Sequence, residues 1–566
     1  MAYDLLFKDA RIVDGSGMPS FRADLAVKDG RVAAVGKLNG AKAGRVIDCD
    51  GLALAPGFID LHTHYDAQIL WDPMATSSCW HGVTTILMGN CGFTLAPCKP
   101  QDRAYLSKMM ARVEGIPLVS LEQGLTWQWS SFPEYLDALD KPKGVNVLAQ
   151  IGHSALRYSV MGADAYQRQA TDEEIRQQKA LLREALEAGA FGFSTGQNPN
   201  QFGGYGEPVP SRLATEDEIV ELAGVCQSFP QGIIEVASKA DMTGFVQSDK
   251  EMFRRMSTAA GRPVVWILLG HHWEAPNEWR DLLAYMDQTS AEGHRIYGLA
   301  RTKRLDQDFN FKLTFLFQRF PKWTAVIALP HAEKVKALRD PRTRAELREE
   351  MERLTASPLF RRRRLDLAHV KTAALPKNKS LNGQPLSKIA AAQGKSMVDA
   401  MLDLALEEDL QTQFIYIGTS NGDDNAVAEI LNSPHSLMGL SDAGAHISME
   451  SAVDYCTHLL AYWVREKQAM SLEKAVHKLT FVPAWAVGLR DRGLLSPGCR
   501  ADLVLFNPDT VAARAPELVA DFPAGERRLV QHAEGIEMVA VNGQVTIERG
   551  TLTGVLPGGL VRANQG

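Results

Sequence analysis

The sequence lacks the features that would direct the protein into a membrane, into secretion or onto a nucleic acid. No window approaches the roughly 18 apolar residues that a membrane-spanning helix needs. The N-terminal segment, MAYDLLFKDARIVDG, has no basic start followed by the long apolar stretch of a secretory signal. The net charge of −6 gives no reason to expect a polyanionic partner. We therefore expect a soluble protein that binds neither nucleic acid nor membrane.

Cysteine is also scarce, with seven residues in a chain of 566. The number is odd and the spacing irregular, which argues against a disulfide framework and fits a reducing cytoplasm. The one local excess of charge is the basic run 361–364. We interpret this run as a solvated helix end, with an anion or partner contact as the alternative.

The length and composition indicate a globular protein of more than one domain. Hydrophobic residues make up 45% and charged residues 23% of the chain, as in an ordinary soluble protein. A chain of 566 residues has room for one large barrel of roughly 250 residues or more, with smaller additions. These features leave the oligomeric state open, and a homo-oligomer is allowed.

The two ends of the chain share a pattern that the middle lacks. Each end carries short runs of alternating apolar and polar residues, joined by Asp29-Gly30 in one case and Asn542-Gly543 in the other. Both dipeptides favour two-residue β-hairpin turns. The simplest interpretation is one small β domain built from residues 1–55 and 486–566, with the middle of the chain inserted into it.

The middle, residues 56–485, alternates near-continuous apolar runs with helical patterns such as that of 172–189. This alternation predicts an α/β fold with a parallel sheet that is buried on both faces. The candidate strands are GFIDLHTH, GVTTILMGN, NVLAQIGH, GAFGFSTG, GIIEVAS, PVVWILLGH, HRIYGLA, FIYIGTS and SLMGLSDAG. Several end in polar residues, as expected on the active-site face of a (β/α)8 barrel. One of the nine must lie outside the eight barrel positions, and the pattern does not say which.

Residues 301–390 interrupt this rhythm with helix-like charge patterns and a polar stretch that contains proline and glycine. A segment of this length between barrel elements is usually an insertion, and we predict a lid over the site. A peripheral decoration far from the chemistry is the alternative.

The strongest chemical signal is the segment PGFIDLHTHYD, residues 56–66. His62 and His64 lie two residues apart in a predicted strand, so both side chains point to the same face. Imidazole is a good ligand for zinc and similar divalent ions. The pair therefore predicts metal-assisted hydrolysis, with two hydrogen-bonded core histidines as the alternative.

Five motifs together resemble the amidohydrolase superfamily, and specifically its N-acyl-D-amino-acid deacylase branch. They are PGFIDLHTHYD, HGVTTILMGNCGFTLAP, GHSALR, GLSDAGAH and LSPGCRADLVLF, and they span most of the chain. The resemblance implies a (β/α)8 barrel with a small β-sandwich built from both termini, in agreement with the patterns above. It also implies a small-molecule substrate, with deacylation of an N-acyl (D-)amino acid at a centre of one or two divalent ions, zinc foremost. A cyclic amide, carbamate or dipeptide substrate is one alternative, and a metal-free, non-catalytic scaffold is another.

The resemblance assigns roles to four residues with clear counterparts. His62 and His64 carry over as metal ligands, and Cys91 in GNCG matches a cysteine ligand, for which a buried free cysteine is the alternative. Asp442 in SDAGAH is the expected proton-transfer residue, which accepts a proton from the attacking water and returns it to the leaving amine. A helix-capping aspartate is the alternative for Asp442.

The second half of the metal site matches the family less well. Lys239 stands where one further histidine is expected, and a protonated lysine cannot bind a cation, so we expect a structural or substrate-contacting role unless it is carboxylated. The last ligand falls at His271 or at His272. Only one of these two can face inward, and we favour His271.

Residues of GHSALR are candidates for substrate binding. We expect His153 near the site, and Arg157 either clamps a substrate carboxylate or forms an internal ion pair. The family's carboxylate-binding arginine after the late aspartate has no evident counterpart here. His446 lies four residues after Asp442 and either lines the site or lies behind or outside it.

Overall fold

The structure is a computed structural model in which three parts of the chain have their own strands and cores. It describes residues 2–239, 247–273, 275–312, 314, 316–317, 320–357, 363–447 and 452–563.

Strands from both ends of the chain form one nine-stranded sheet. They are Tyr3–Ile12, Phe21–Lys28, Arg31–Gly36, Ala43–Asp48, Ala53–Pro56, Leu503–Phe506, Ile536–Val541, Gln544–Glu548 and Thr551–Leu552. Leu503–Phe506 pairs antiparallel with Ala53–Pro56 and so joins the two ends. Both predicted hairpins are confirmed, because Asp29-Gly30 and Asn542-Gly543 adopt positive φ angles between paired antiparallel strands. The limits 1–55 and 486–566 of the domain stay a prediction.

Eight parallel strand positions form a ring in the middle of the chain. In chain order they are Phe58–Asp60 with His62–Thr63, Val83–Met88, Asn146–Ala149 with Ile151–Gly152, Gly192–Gly196, Ile233–Ala237, Val264–Leu269, Ile296–Ala300, and Ser436–Leu437 with Leu440–Ala443. Each pairs with the next, and the eighth returns to the first through the register of Leu440 with His62. The (β/α)8 fold class predicted from the sequence is confirmed.

The candidate strand that lies outside the barrel is FIYIGTS, which belongs to a separate sheet. Gln413–Ser420 pairs antiparallel with both Leu305–Phe309 and Ala368–Thr372, between the seventh and eighth barrel strands. The segment around this sheet has its own hydrophobic cluster, which includes Phe309 and Trp323 and is distinct from the barrel core. The inserted sheet reaches Ser420, whereas the sequence pattern predicts an insertion from 301 to about 390. An apolar strand buried in a second core looks the same in sequence as a barrel strand. Its role as a lid stays a prediction.

Helices connect the barrel strands and build much of the insertion. Their bounds are Arg103–Glu114, Leu118–Gly124, Phe132–Leu139, His153–Met161, Asp172–Glu187, Glu216–Val225, Gln247–Ala260, Glu278–Ala291, Pro321–Ile327, His331–Arg339, Pro341–Thr355, Leu386–Gln393, Met397–Glu407, Asp424–Asn432, Tyr455–His458, Leu472–Leu479 and Phe481–Val487. The predicted helix at 172–189 begins at a capping box formed by Thr171 and Glu174. Within the described ranges, every helix is too short or too polar to cross a membrane.

Candidate metal centre

The first and eighth barrel strands place the histidine pair beside Asp442. The backbone N–H of His64 donates to the carbonyl of Ala443 at 2.7 Å, which holds the end of the first strand against the end of the eighth. His62 and His64 are both 1% exposed, and their ring centroids lie 5.1 Å apart in an edge-on arrangement. The strand geometry thus directs both imidazoles into one buried space, as the i, i+2 spacing predicts.

Cys91 reaches the same space from the end of the second strand. Its Sγ lies 3.6 Å from Nε2 of His62. One ligand atom from each of His62, His64 and Cys91 lies within 4.8 Å of the others, and in the described part of the chain this is the one such group of histidine, cysteine and acidic residues. The arrangement provides two imidazole nitrogens and a sulfur, which is a donor set that suits zinc.

Asp442 faces the two imidazoles directly. Its Oδ1 lies 3.5 Å from Nε2 of His62 and 3.3 Å from Nε2 of His64. Asp442 and Cys91 both adopt left-handed backbone conformations, with φ of 60° and 56°. Such conformations cost about 1–3 kcal/mol in residues other than glycine and persist where the surroundings require them, often at functional sites.

The spacing of these atoms fits a shared metal ion. Nitrogen, oxygen and sulfur ligands at their usual distances from zinc lie about 3.4–3.6 Å apart when the angles are tetrahedral. The separation of 3.6 Å between Cys91 and His62 agrees with this expectation, and Asp442 lies beside the same space, 3.3–3.5 Å from the two histidines. The residues present therefore fit a bound divalent cation.

Two further carboxylates lie behind the histidine rings. Oε1 of Glu235 is 3.6 Å from Nδ1 of His62, and Oε1 of Glu114 is 3.6 Å from Nδ1 of His64. Neither glutamate is among the residues proposed from the sequence. A charged residue inside the apolar run GIIEVAS was an available signal for Glu235, whereas Glu114 ends a helix and has no distinguishing motif.

The electrostatics of this cluster favour a cation. Burial raises the pKa of Glu235 to about 8. Burial alone would lower the pKa of His64, but the carboxylates of Glu114 and Asp442 raise it to about 10. Burial likewise opposes ionisation of Asp442, yet its hydrogen bonds with His62 and His64 hold its pKa well below the usual value. The carboxylates of Glu114 and Asp442 thus stabilise positive charge beside them.

His271 and His272 do not join the donor group. Asn421 makes two hydrogen bonds with the backbone of His271. The N–H of His271 donates to Oδ1 of Asn421 at 2.9 Å, and the backbone N–H of Asn421 donates to the carbonyl of His271 at 2.8 Å. His272 is 6% exposed, and its carbonyl accepts the N–H of Ala275. The group of ligand atoms within 4.8 Å contains neither histidine, so a ligand at this position stays a prediction.

Lys239 is committed to an ion pair outside the donor group. Its Nζ donates to Oε1 of Glu216 at 2.8 Å, and both side chains are about a third exposed. This contact agrees with the structural role considered for Lys239 and leaves the position of the expected histidine without a metal ligand.

Of the two roles considered for Arg157, the contacts in the structure agree with the internal ion pair. Arg157 is fully buried and donates from Nε to Oε1 of Glu218 at 2.9 Å, while its other nitrogens donate to backbone carbonyls. His153 is likewise buried, with Nδ1 2.9 Å from Oγ1 of Thr195 and Nε2 3.3 Å from Glu218. Arg157 therefore forms the internal ion pair, and both ring nitrogens of His153 have protein partners, while a role of either residue in substrate binding stays a prediction.

Arg301 brings a positive charge to the site that the sequence did not reveal. It follows the seventh barrel strand and is 6% exposed, with Nη2 3.9 Å from Oδ2 of Asp442. The backbone N–H of His446 donates to the carbonyl of Glu114 at 2.5 Å. Asp442 thus presents one oxygen to the histidines and the other to Arg301.

Three tryptophans, Trp127, Trp129 and Trp273, differ in their surroundings. Trp129 is 2% exposed, donates to the carbonyl of Leu95 and lies 5.2 Å from the ring of Trp127. Trp273 is 58% exposed, and its Nε1 donates to the carbonyl of Gly418 in the inserted sheet. Trp273 therefore joins the barrel mouth to the insertion.

Comparison with known proteins supports the same chemistry. The family model described as Amidohydrolase family matches residues 45–547. D-aminoacylase from Alcaligenes xylosoxydans xylosoxydans is 31% identical over 559 residues, which cover 98% of this chain and 96% of that protein. A solved D-aminoacylase, described with a binuclear metal centre, is 27% identical, with a TM-score of 0.68 over 99% of this chain and 100% of that one.

A second solved structure resembles the chain to the same degree. N-acyl-D-glutamate deacylase from Bordetella bronchiseptica, complexed with zinc and a phosphonate that mimics the tetrahedral intermediate, is 26% identical, with a TM-score of 0.68 over 100% of both chains. The family match spans most of the sequence and includes the strands that carry the histidine pair, Cys91 and Asp442. The chain belongs to the amidohydrolase family.

Proposed function

We propose that this chain is a metal-dependent hydrolase that removes the acyl group from an N-acyl amino acid, with D-amino acids as the preferred class. The observation that carries the proposal is the convergence of His62, His64 and Cys91 with Asp442 at one end of the barrel. The similarity to D-aminoacylase and to N-acyl-D-glutamate deacylase supports the substrate class.

The proposed centre holds one divalent ion, with zinc as the first candidate. His62, His64 and Cys91 would hold it, because their donor atoms form the one close group in the described residues. Lys239, at the position of a further histidine ligand, is paired with Glu216 instead. When bound, such an ion polarises the substrate carbonyl and lowers the pKa of a water molecule toward neutrality.

Asp442 supplies the proton transfer in this proposal. Its carboxylate accepts a proton from the attacking water as the new C–O bond forms at the acyl carbon. It then returns this proton to the amide nitrogen as the C–N bond breaks, which releases a carboxylate and an amino acid. The low pKa of Asp442 keeps it ionised and ready to accept the proton at neutral pH.

The surroundings of Asp442 favour an anionic substrate. Arg301 places a buried guanidinium 3.9 Å from Oδ2 of Asp442, at the mouth of the barrel. The α-carboxylate of an N-acyl amino acid is only two bonds from the scissile nitrogen, so a cation near the general base is in range of it. Asn421 follows the inserted sheet, and its side-chain amide donates to the carbonyl of Arg301 at 3.1 Å. This hydrogen bond connects the insertion to the segment after the seventh barrel strand. We propose that the insertion acts as a lid that excludes bulk water.

The free cysteines support a proposal for the cellular compartment. All seven cysteines are free, which suits a reducing compartment, and we propose the cytoplasm.

The test is a substrate panel assayed on the same preparation as its metal content. N-acetyl-D-amino acids, their L enantiomers, the matching N-acetyl-D-amino acid amides, hydantoins and dipeptides are compared by kcat/KM. We expect turnover of the free acids of D configuration, weaker turnover of their neutral amides, and about one metal ion per chain. Activity confined to hydantoins or dipeptides, or no turnover by protein with stoichiometric metal, would overturn the proposal.

A further inference from the structure

Each histidine of the candidate centre has one nitrogen that faces Asp442 and one that faces a glutamate. Nε2 of both rings points to Oδ1 of Asp442. Nδ1 of His62 and Nδ1 of His64 are buried and have no hydrogen-bond partner among the residues that the structure describes. The carboxylate oxygens of Glu235 and Glu114 lie 3.6 Å from these two atoms, just beyond hydrogen-bond range.

We propose that Glu235 and Glu114 are positioning residues, which accept the Nδ1–H of His62 and His64 and so keep each Nε2 unprotonated toward a metal ion. A neutral imidazole has one donor and one acceptor nitrogen, and the hydrogen bond made by one decides the role of the other. Carboxylates behind metal-binding histidines orient the rings and raise their basicity. This inference rests on the metal site of the proposed function and concerns residues that the family motifs do not include.

Glu235 is connected to two of the three proposed ligands. Its Oε2 accepts the backbone N–H of Cys91 at 2.7 Å, while its Oε1 faces the ring of His62 and has no other partner within the described ranges. The side chain is fully buried on the fifth barrel strand. The carboxylate of Glu235 thus connects the backbone of Cys91 with the ring of His62.

Glu114 holds the other ring from a different element. It is the last residue of the helix Arg103–Glu114 and is 3% exposed. Its backbone carbonyl accepts the N–H of His446, four residues after Asp442, which connects the helix end to the segment that follows the eighth strand. Because the two glutamates come from separate elements, one can be changed while the other remains in place.

A matched control lies on the same barrel. Glu218 is also a buried glutamate beside a histidine, His153, but it is bound by Arg157 and Gln178 and touches none of the proposed ligands. Its replacement removes a buried carboxylate without affecting the donor group, and therefore separates loss of stability from loss of metal orientation.

The test measures metal affinity of the metal-free full-length protein, independently of turnover. Zinc dissociation constants of wild type, Glu235→Gln, Glu114→Gln and Glu218→Gln are determined by competition with a chromogenic chelator. We expect affinity to fall about 10–100-fold in each of the first two variants and to stay at the wild-type value in the third. The visible spectrum of the cobalt-substituted protein should change in the first two variants only, and Glu235→Asp should recover part of the affinity.

The outcomes separate this inference from the proposed function. Wild-type zinc affinity in both Glu235→Gln and Glu114→Gln would overturn the positioning role even if the enzyme is a deacylase. Equal losses in all three variants would also overturn it, because they would indicate general destabilisation. Stoichiometric zinc without deacylase activity in the wild type would instead overturn only the proposed function, and a wild type that binds no zinc overturns both. If Glu235→Gln does not fold, Glu114→Gln decides alone.

Discussion

Two buried histidine clusters of the same barrel differ in how their polar atoms are satisfied. In the first, His62 and His64 face Asp442 with Nε2, and their Nδ1 atoms have no hydrogen-bond partner in the described structure. In the second, both nitrogens of His153 are engaged, and Arg157 donates to Glu218 and to backbone carbonyls. Because hydrogen-bonded buried histidines stabilise a fold, whereas convergent ligand atoms without partners are costly, the difference supports the first cluster as the candidate functional one.

The glutamates of the two clusters illustrate the same difference. Burial raises the pKa of Glu235 to about 8. Burial acts in the same direction on Glu218, but hydrogen bonds from His153 and Arg157 and the charge of Arg157 lower its pKa to about 2. Burial lowers the pKa of His153, and Arg157 adds a buried guanidinium to this cluster. Arg157 balances the charge of Glu218 in the second cluster, whereas the glutamates of the first cluster face the two histidines.

The largest effect is expected from removing the proton acceptor of the first cluster. Asp442→Asn should reduce turnover by about 10³-fold, because general acid–base catalysis contributes roughly 10²–10⁴-fold. Bound metal should remain close to the wild-type amount, since His62, His64 and Cys91 are unchanged. Steady-state kinetics and metal analysis of the same sample check this, and full activity in the variant would refute the role of Asp442.

The second cluster should respond in stability rather than in activity. Arg157→Met leaves the carboxylate of Glu218 buried without its guanidinium partner, and breaking a buried pair in this way costs about 3–5 kcal/mol. Thermal unfolding should show a clear loss of stability, while kcat per folded molecule stays near wild type at a permissive temperature. A large fall in kcat with unchanged stability would return Arg157 to the substrate site.

Acid should weaken the second cluster through Glu218. Its pKa in the folded protein, about 2, lies below its ordinary value of 4.5, so its stabilisation is present above pH 4.5 and is lost as the pH falls toward 2. The shift corresponds to about 3 kcal/mol. The difference in the free energy of unfolding between wild type and Glu218→Gln should be smaller at pH 3 than at pH 6. A difference that does not depend on pH would contradict the ionised pair.

The smallest effect is expected at Lys239, which belongs to neither cluster. Its pair with Glu216 is about a third exposed on both sides, and such pairs contribute roughly 0–1 kcal/mol. Lys239→Met should therefore change the unfolding temperature little and leave metal content and kcat unaltered. Loss of metal in this variant would show that a carboxylated Lys239 is a ligand.

Much of the architecture was predictable because it depends on local chemistry. Asp29-Gly30 and Asn542-Gly543 form hairpins because their residues tolerate positive φ, and the alternation of apolar runs with helices indicates a parallel barrel. The apolar pattern of FIYIGTS predicted a buried strand, as it did for the barrel strands, but left open whether this strand belongs to the barrel. Apolar content reports that a strand is buried, and it does not report which core buries it.

The sequence by itself determined that His62 and His64 share a face, because a strand repeats every two residues, and its motifs identified Cys91 and Asp442 as their companions. Only the tertiary structure decided what surrounds them. Glu235 lies 144 residues from Cys91 in the chain, and Glu218 lies 61 residues from Arg157. Contacts over such separations depend on strand order, register and helix packing, which no local pattern encodes, and these contacts distinguish a histidine available to a metal from one already satisfied.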